Sequence, residues 1–119
     1  MDRRSIGDRG EDIAAVFLKK KGYTILERNF RCRLGEIDLI ASDTEYLTFV
    51  EVKLRKDASH GEAREFVTPA KQRKIILAAK YYLSFHETPL QPRFDVVEIY
   101  TPEGPDGRIF IRLLEDAFQ

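Results

Sequence analysis

Apolar residues recur at helical spacing through Ile13, Ala14, Phe17 and Leu18 and stop at Gly22. A stripe with that period predicts a helix laid on a core. Ser5, three residues ahead of Asp8, is placed to cap its start. Tyr23 to Asn29 opens with β-forming residues, and the runs Glu36 to Ala41 and Leu47 to Leu54 read as strands. Ser42-Asp-Thr-Glu45 would join those two runs as a hairpin. Thr68 followed by Pro69 marks a second helix, whose apolar stripe is Ile75, Ile76, Ala79, Tyr82 and Leu83 and which ends before Pro89. Phe94 to Tyr100 and Ile109 to Leu114 are the last strand candidates, with the turn formers of 101–107 between them. The order α, β, β, β, α, β, β predicts one α/β domain over residues 1–119, a compact mixed sheet flanked by helices. Arg55 to Phe66 has no clear period and reads as a mobile loop beside the third strand.

Composition narrows the possibilities. Apolar residues make up 43% and charged residues 34% of 119 residues, as in folded globular chains. No apolar run approaches the roughly 18 residues of a membrane span, and the start Met1-Asp-Arg-Arg4 is charged, so a cytoplasmic protein without membrane contact is expected. Cys32 is the only cysteine, which excludes an intrachain disulfide and a cysteine-rich zinc site. His60 and His86 have no paired-ligand spacing and read as surface residues. The net charge of zero disfavours a simple polycation, but residues 1–74 hold 16 Lys and Arg against 13 Asp and Glu. Local basic groups include Arg28/Arg31/Arg33, Lys53/Arg55/Lys56 and Lys71/Arg73/Lys74.

Candidate chemistry lies on the third strand. Side chains alternate along a strand, so Glu51, Lys53 and Arg55 share one face, with neighbouring members roughly 7 Å apart. In the preceding strand Glu36 and Asp38 share a face, and hairpin pairing would set Asp38 beside Glu51. Two facing carboxylates repel unless a cation lies between them or one pKa rises. Mg²⁺, or Mn²⁺ in its place, takes one or two carboxylates and keeps waters. Asp38 and Glu51 are the candidate ligands, with the Val52 carbonyl as a third, and Lys53 would position the attacking water and offset transition-state charge. Glu11 borders the inward stripe of the first helix, either near this cluster or as an acid favoured by the helix dipole. Lys71, early in the second helix, opposes that helix's dipole; a phosphate contact or a snorkelling stem would each account for it.

Several segments together resemble a known family. Gly10-Glu11, Arg28-Asn-Phe-Arg31, Gly35-Glu-Ile-Asp-Leu-Ile-Ala41, Phe49-Val-Glu-Val-Lys53, Lys71 and Arg93-Phe-Asp-Val-Val97 look like the bacterial YraN-like family, whose members are endonuclease-related. The resemblance covers nearly the whole chain. Through archaeal Holliday junction resolvases it implies the PD-(D/E)XK superfamily, with a restriction-endonuclease-like αβββαβ core and Mg²⁺-dependent phosphodiester cleavage. Carried over, the helix acid is Glu11, the second-strand ligand Asp38, the E-x-K pair Glu51 and Lys53, and the second-helix residue Lys71. Ile37 stands where that superfamily often has proline, and Glu36 adds an acid that competes with Asp38 as primary ligand.

The expectation is a metal-dependent endonuclease acting on DNA, including branched or damaged DNA, with Lys71, Arg55 and Arg31 as nucleic-acid contacts. Related resolvases act as dimers, which adds a homodimer to the expectation. The alternatives are a non-catalytic nucleic-acid-binding module that keeps the nuclease fold, and an interaction protein whose acidic face is incidental.

Overall fold

The computed structural model describes residues 6–55, 67–104 and 106–119, with side chains from residue 9. Two helices and five strands follow in the expected order: α1 (Ile6–Lys20), β1 (Thr24–Cys32), β2 (Gly35–Ser42), β3 (Tyr46–Arg55), α2 (Pro69–Phe85), β4 (Gln91–Tyr100) and β5 (Phe110–Phe118). They form one mixed five-stranded sheet in spatial order β1-β2-β3-β4-β5. Every neighbouring pair is antiparallel except β3 and β4, which run parallel because α2 carries the chain back across the sheet. Among the described residues no helix is long and apolar enough to cross a membrane. The Ser5 cap, His60 and nearly all of the expected loop lie outside the described residues.

Each helix ends where its sequence says it should. Gly22 takes φ 100, the Tyr23 N–H donates to the Leu18 carbonyl at 3.0 Å, and the Gly22 N–H donates to that of Lys19 at 3.0 Å. This Schellman closure needs a residue that tolerates left-handed backbone. At the start of α2, Thr68 Oγ1 accepts from the Lys71 N–H at 3.1 Å and Pro69 fills the first helical turn. In the β2–β3 turn, Asp43 Oδ1 accepts from the N–H groups of Glu45 and Tyr46 at 2.9 and 2.7 Å.

The sheet is buried on both faces. α1 sets Ala14, Ala15 and Leu18 against Leu39, Ala41, Val50, Val97 and Ile99. On the other face α2 sets Ile75, Ala78, Ala79 and Tyr82 against Ile37, Ile40, Leu47, Phe49 and Val96. β3 therefore turns its odd-numbered residues toward the α2 face and its even-numbered ones toward α1. That alternation fixes which way Glu51 and Lys53 point.

Candidate functional site

Alternation fails at one step of β2. Ile37 packs under α2, while Leu39 and Ala41 pack under α1, so residues two apart face opposite sides of the sheet. Asp38 occupies the step. β1 breaks at the matching place, because Asn29 lies between the pairs Arg28↔Leu39 and Phe30↔Ile37 and takes φ 53. Asparagine tolerates this left-handed conformation better than most residues. In consequence Arg28 turns to Asp12 of α1, whereas Phe30 meets the Tyr82 ring of α2 edge-on at 5.3 Å.

The break opens the sheet. β2 and β3 pair from Ser42↔Leu47 to Leu39↔Val50, and one further step would set Asp38 opposite Glu51. Instead Asp38 Oδ2 accepts from the Val52 N–H at 2.8 Å. A side-chain oxygen has replaced the backbone partner, and the strands part there. The N–H and C=O of one strand residue lie on the same edge, so the Val52 carbonyl faces the same gap.

Acids approach this gap from both sides. On the α2 side is Glu51, 4% exposed, with Lys71 Nζ 2.8 Å from its Oε1. On the α1 side is Glu11, 6% exposed. The Asn29 amide, with its nitrogen turned to that acid, donates to Glu11 Oε1 at 2.6 Å. Burial, and then the Glu51 charge, push the Asp38 carboxyl up to about 7; Glu11 adds to the rise, while the Val52 N–H and the Lys71 ammonium oppose it. Desolvation pulls the Lys71 pKa down, but the hydrogen bond and charge of Glu51 outweigh it and the net direction is upward. Lys71 thus remains an ammonium beside a buried carboxylate, and Asp38 is a carboxyl that gains or loses its proton near neutrality.

The remaining expected residues divide. Lys53 is half-buried and lies two positions beyond Glu51 on the same face of β3. Glu36 is not enclosed with Asp38: its side chain is 62% exposed and 3.4 Å from Arg31. Of the two β2 acids, Asp38 is therefore the one inside the gap. Arg31 is on the surface, but Arg55 is turned inward, with its side chain 10% exposed and Nη1 2.8 Å from Glu98 Oε2. Among the described residues no three of His, Cys, Asp and Glu form a ready-made metal cage. His86 stacks on Tyr82 with ring centres 4.0 Å apart, at the far end of α2 from Lys71.

Comparison with known proteins bears on the whole chain. The model of the uncharacterised protein family UPF0102 matches residues 10–99, a span that contains Glu11, Asp38, Glu51, Lys53 and Lys71. The chain belongs to UPF0102. It is 49% identical to UPF0102 protein STH1475 of Symbiobacterium thermophilum over 116 residues, covering 97% of both chains. To UPF0102 protein CPE1705 of Clostridium perfringens it is 47% identical over 117 residues, covering 98% of this chain and 95% of that one. UPF0102 protein HEAR0176 of Herminiimonas arsenicoxydans is 46% identical over 101 residues, 85% of this chain and 82% of that one. The YraN-like membership expected from the motifs therefore holds, and these names assign no activity.

The sequence reading gave no role to two buried acids on β4. Glu98 is fully buried between Arg55 of β3 and Arg112 of β5, at 2.8 and 3.1 Å. Asp95 is fully buried too, and accepts from Arg93 Nε at 2.9 Å, from Thr48 Oγ1 at 2.6 Å and from the Asp116 N–H at 2.8 Å. Arg93 continues to the Tyr23 hydroxyl at 2.6 Å. The available signal was the interruption of an apolar run, Phe94 to Ile99, by two acids with Arg93 beside it.

Proposed function

We propose that this UPF0102 chain is a metal-dependent nuclease of the PD-(D/E)XK type, which hydrolyses phosphodiester bonds in DNA, branched or damaged forms included. The proposal extends to the fold: α1, β1 to β3, α2 and β4 follow the αβββαβ order of a restriction-endonuclease-like core, with β5 added at the edge. One observation carries the reading. Asp38 lies at a gap in the sheet where burial and the charges of Glu51 and, less strongly, Glu11 drive its carboxyl up to about 7. Such crowding costs stability, and a site where a cation relieves it is a functional candidate.

The residues fit a hard dication that keeps most of its waters. Asp38, Glu51 and the Val52 carbonyl would hold it, the carboxylate count that Mg²⁺ or Mn²⁺ uses. Bound there, the ion would activate a water and neutralise charge on a phosphate. Lys53, on the Glu51 face, then holds the attacking water and stabilises developing negative charge. Asn29 keeps Glu11 in place by hydrogen bonding to it, so that Glu11 acts on the ligands from behind rather than as a free surface acid. Lys71 is set by Thr68 at the head of α2, within reach of an incoming phosphate.

The test is to incubate the pure protein with linear, single-stranded, flapped and four-way-junction DNAs in Mg²⁺ or Mn²⁺. Cleavage that Lys53→Ala removes, with metal affinity retained in calorimetry, is the expected result. Equal loss of metal binding would contradict the role of Lys53. A second reading has its own observation: Lys71 already neutralises Glu51 from within at 2.8 Å, as a non-catalytic binding module with this fold would require. Binding without cleavage in any of these DNAs would select it.

A further inference from the structure

The sequence divided its basic residues among scattered local groups, and the fold brings some of them together. The turn between β1 and β2 lies against the first turns of α2, and a surface cleft of about 500 Å³ opens between them. Among the described residues Arg31, Arg33, Lys71 and Lys74 line it, against a single acid, Glu36. Lys71 is shared with the acidic gap, since its Nζ reaches Glu51, so the cleft adjoins that site. Its geometry is fixed by backbone packing rather than by flexible side chains. A Cβ on Gly35 would lie 2.7 Å from the Lys74 carbonyl oxygen, closer than real Cβ atoms approach, so the turn can sit this tightly on α2 only with glycine there.

The lining also lacks something. Among the described residues the rest of the lining is Cys32, Gly35 and Ile75, with no aromatic ring. Single-strand binders without base readout combine a basic groove with aromatic platforms on which bases stack. A cleft lined by cations, with no stacking platform among the described residues, suits phosphates better than unstacked bases.

We infer that this cleft binds the phosphodiester backbone of duplex nucleic acid, independently of base sequence, and leads it to the Asp38–Glu51 gap through Lys71. The choice of partner rests on the nuclease reading; the polarity of the cleft and its lack of aromatic residues do not. Arg33 and Lys74 are added as contacts, Arg31 and Lys71 are retained, and Arg55, buried against Glu98, is left out.

Binding of fluorescent duplexes and single strands, measured in EDTA across a salt series, tests this. The parent is compared with Arg33→Gln/Lys74→Gln and with Lys19→Gln/Lys20→Gln, whose lysines are exposed at the end of α1 on the other face of the sheet. All four residues are exposed, and thermal midpoints of the variants check that folding is unchanged. The cleft variant should bind more weakly at every salt concentration, and its log–log salt slope should be shallower by about two units. The α1 variant should follow the parent, duplexes of unrelated sequence should bind alike, and single strands should not be preferred. Parent-like binding by the cleft variant would overturn the cleft while leaving the nuclease reading intact, because another surface would then carry the DNA. A preference for single strands or for particular bases would also overturn it. A parent that binds no nucleic acid even at low salt would remove both the cleft and the nuclease.

Discussion

Asp38 is where the demands of fold and chemistry collide in a single residue. Its Oδ2 holds the Val52 N–H at 2.8 Å, which the fold needs, while burial and two nearby acids penalise its charge. The carboxyl ionises near 3.8 when exposed and near 7 in the folded protein. The folded state therefore binds the extra proton across that window. The stability so gained is fully present below about 3.8 and is lost as pH rises through about 7. Asp38→Asn should flatten this decline, since the amide oxygen still accepts from Val52 but carries no charge. Urea unfolding of both proteins between pH 4 and 8 measures it. An unchanged slope in the variant would assign the titration to another group. By the same reasoning the parent's affinity for Mn²⁺ should rise as pH passes 7, because metal and proton compete for one carboxylate.

At the scale of elements, the head of α2 matters most, because one turn both starts the helix and places Lys71. Thr68→Ala removes the acceptor for the Lys71 N–H and should cost about 1 kcal/mol in thermal unfolding. A loss nearer zero would show that solvent caps the helix equally well. Much of this layer was legible in the sequence. Thr68-Pro69 gave the start of α2, Gly22 the end of α1, and runs of β-forming residues gave β2 and β3, because those signals act within a few residues of where they stand. The strands were read short instead: β1 runs to Cys32 and β5 to Phe118, since pairing with a neighbour extends strands past their own propensity. The site was legible as a set of residues but not as an arrangement. Alternation predicted Glu51 and Lys53 on one face, and hairpin logic predicted Asp38 facing Glu51, whereas the chain stops pairing a step earlier and uses Asp38 as the acceptor for Val52. That outcome depends on the left-handed backbone of Asn29 on the next strand, which no local pattern in β2 encodes. Arg55 shows the same limit from the other side. Its position beside Lys53 suggests a surface cation, whereas the long-range arrival of Glu98 and Tyr100 on β4 turns it inward.

Across the whole molecule, Glu98 links three strands, taking Arg55 from β3 and Arg112 from β5 while itself fully buried. Removing such a carboxylate takes the same buried ion-pair partner from two guanidiniums at once, so Glu98→Ala should destabilise by roughly 3–5 kcal/mol. Thermal or urea unfolding decides it, and a cost under about 1 kcal/mol would mean that Arg55 finds solvent. The parallel pairing of β3 with β4 has a consequence of a different kind, in time rather than in energy. Every pair from Tyr46↔Gln91 to Arg55↔Tyr100 joins residues 45 positions apart. During synthesis, α1 and β1 to β3 emerge first and can close locally, but β3 must wait with its β4 edge bare until the chain through residue 100 is made. At about 5–20 residues per second that wait lasts roughly 2–9 s. Throughout it, an apolar strand that ends up in the middle of the sheet is exposed as an edge, the kind of surface that templates pairing with other chains. The pairing with β4 that seats Glu51 and Lys53 in the finished protein is the pairing β3 lacks while the protein is being made.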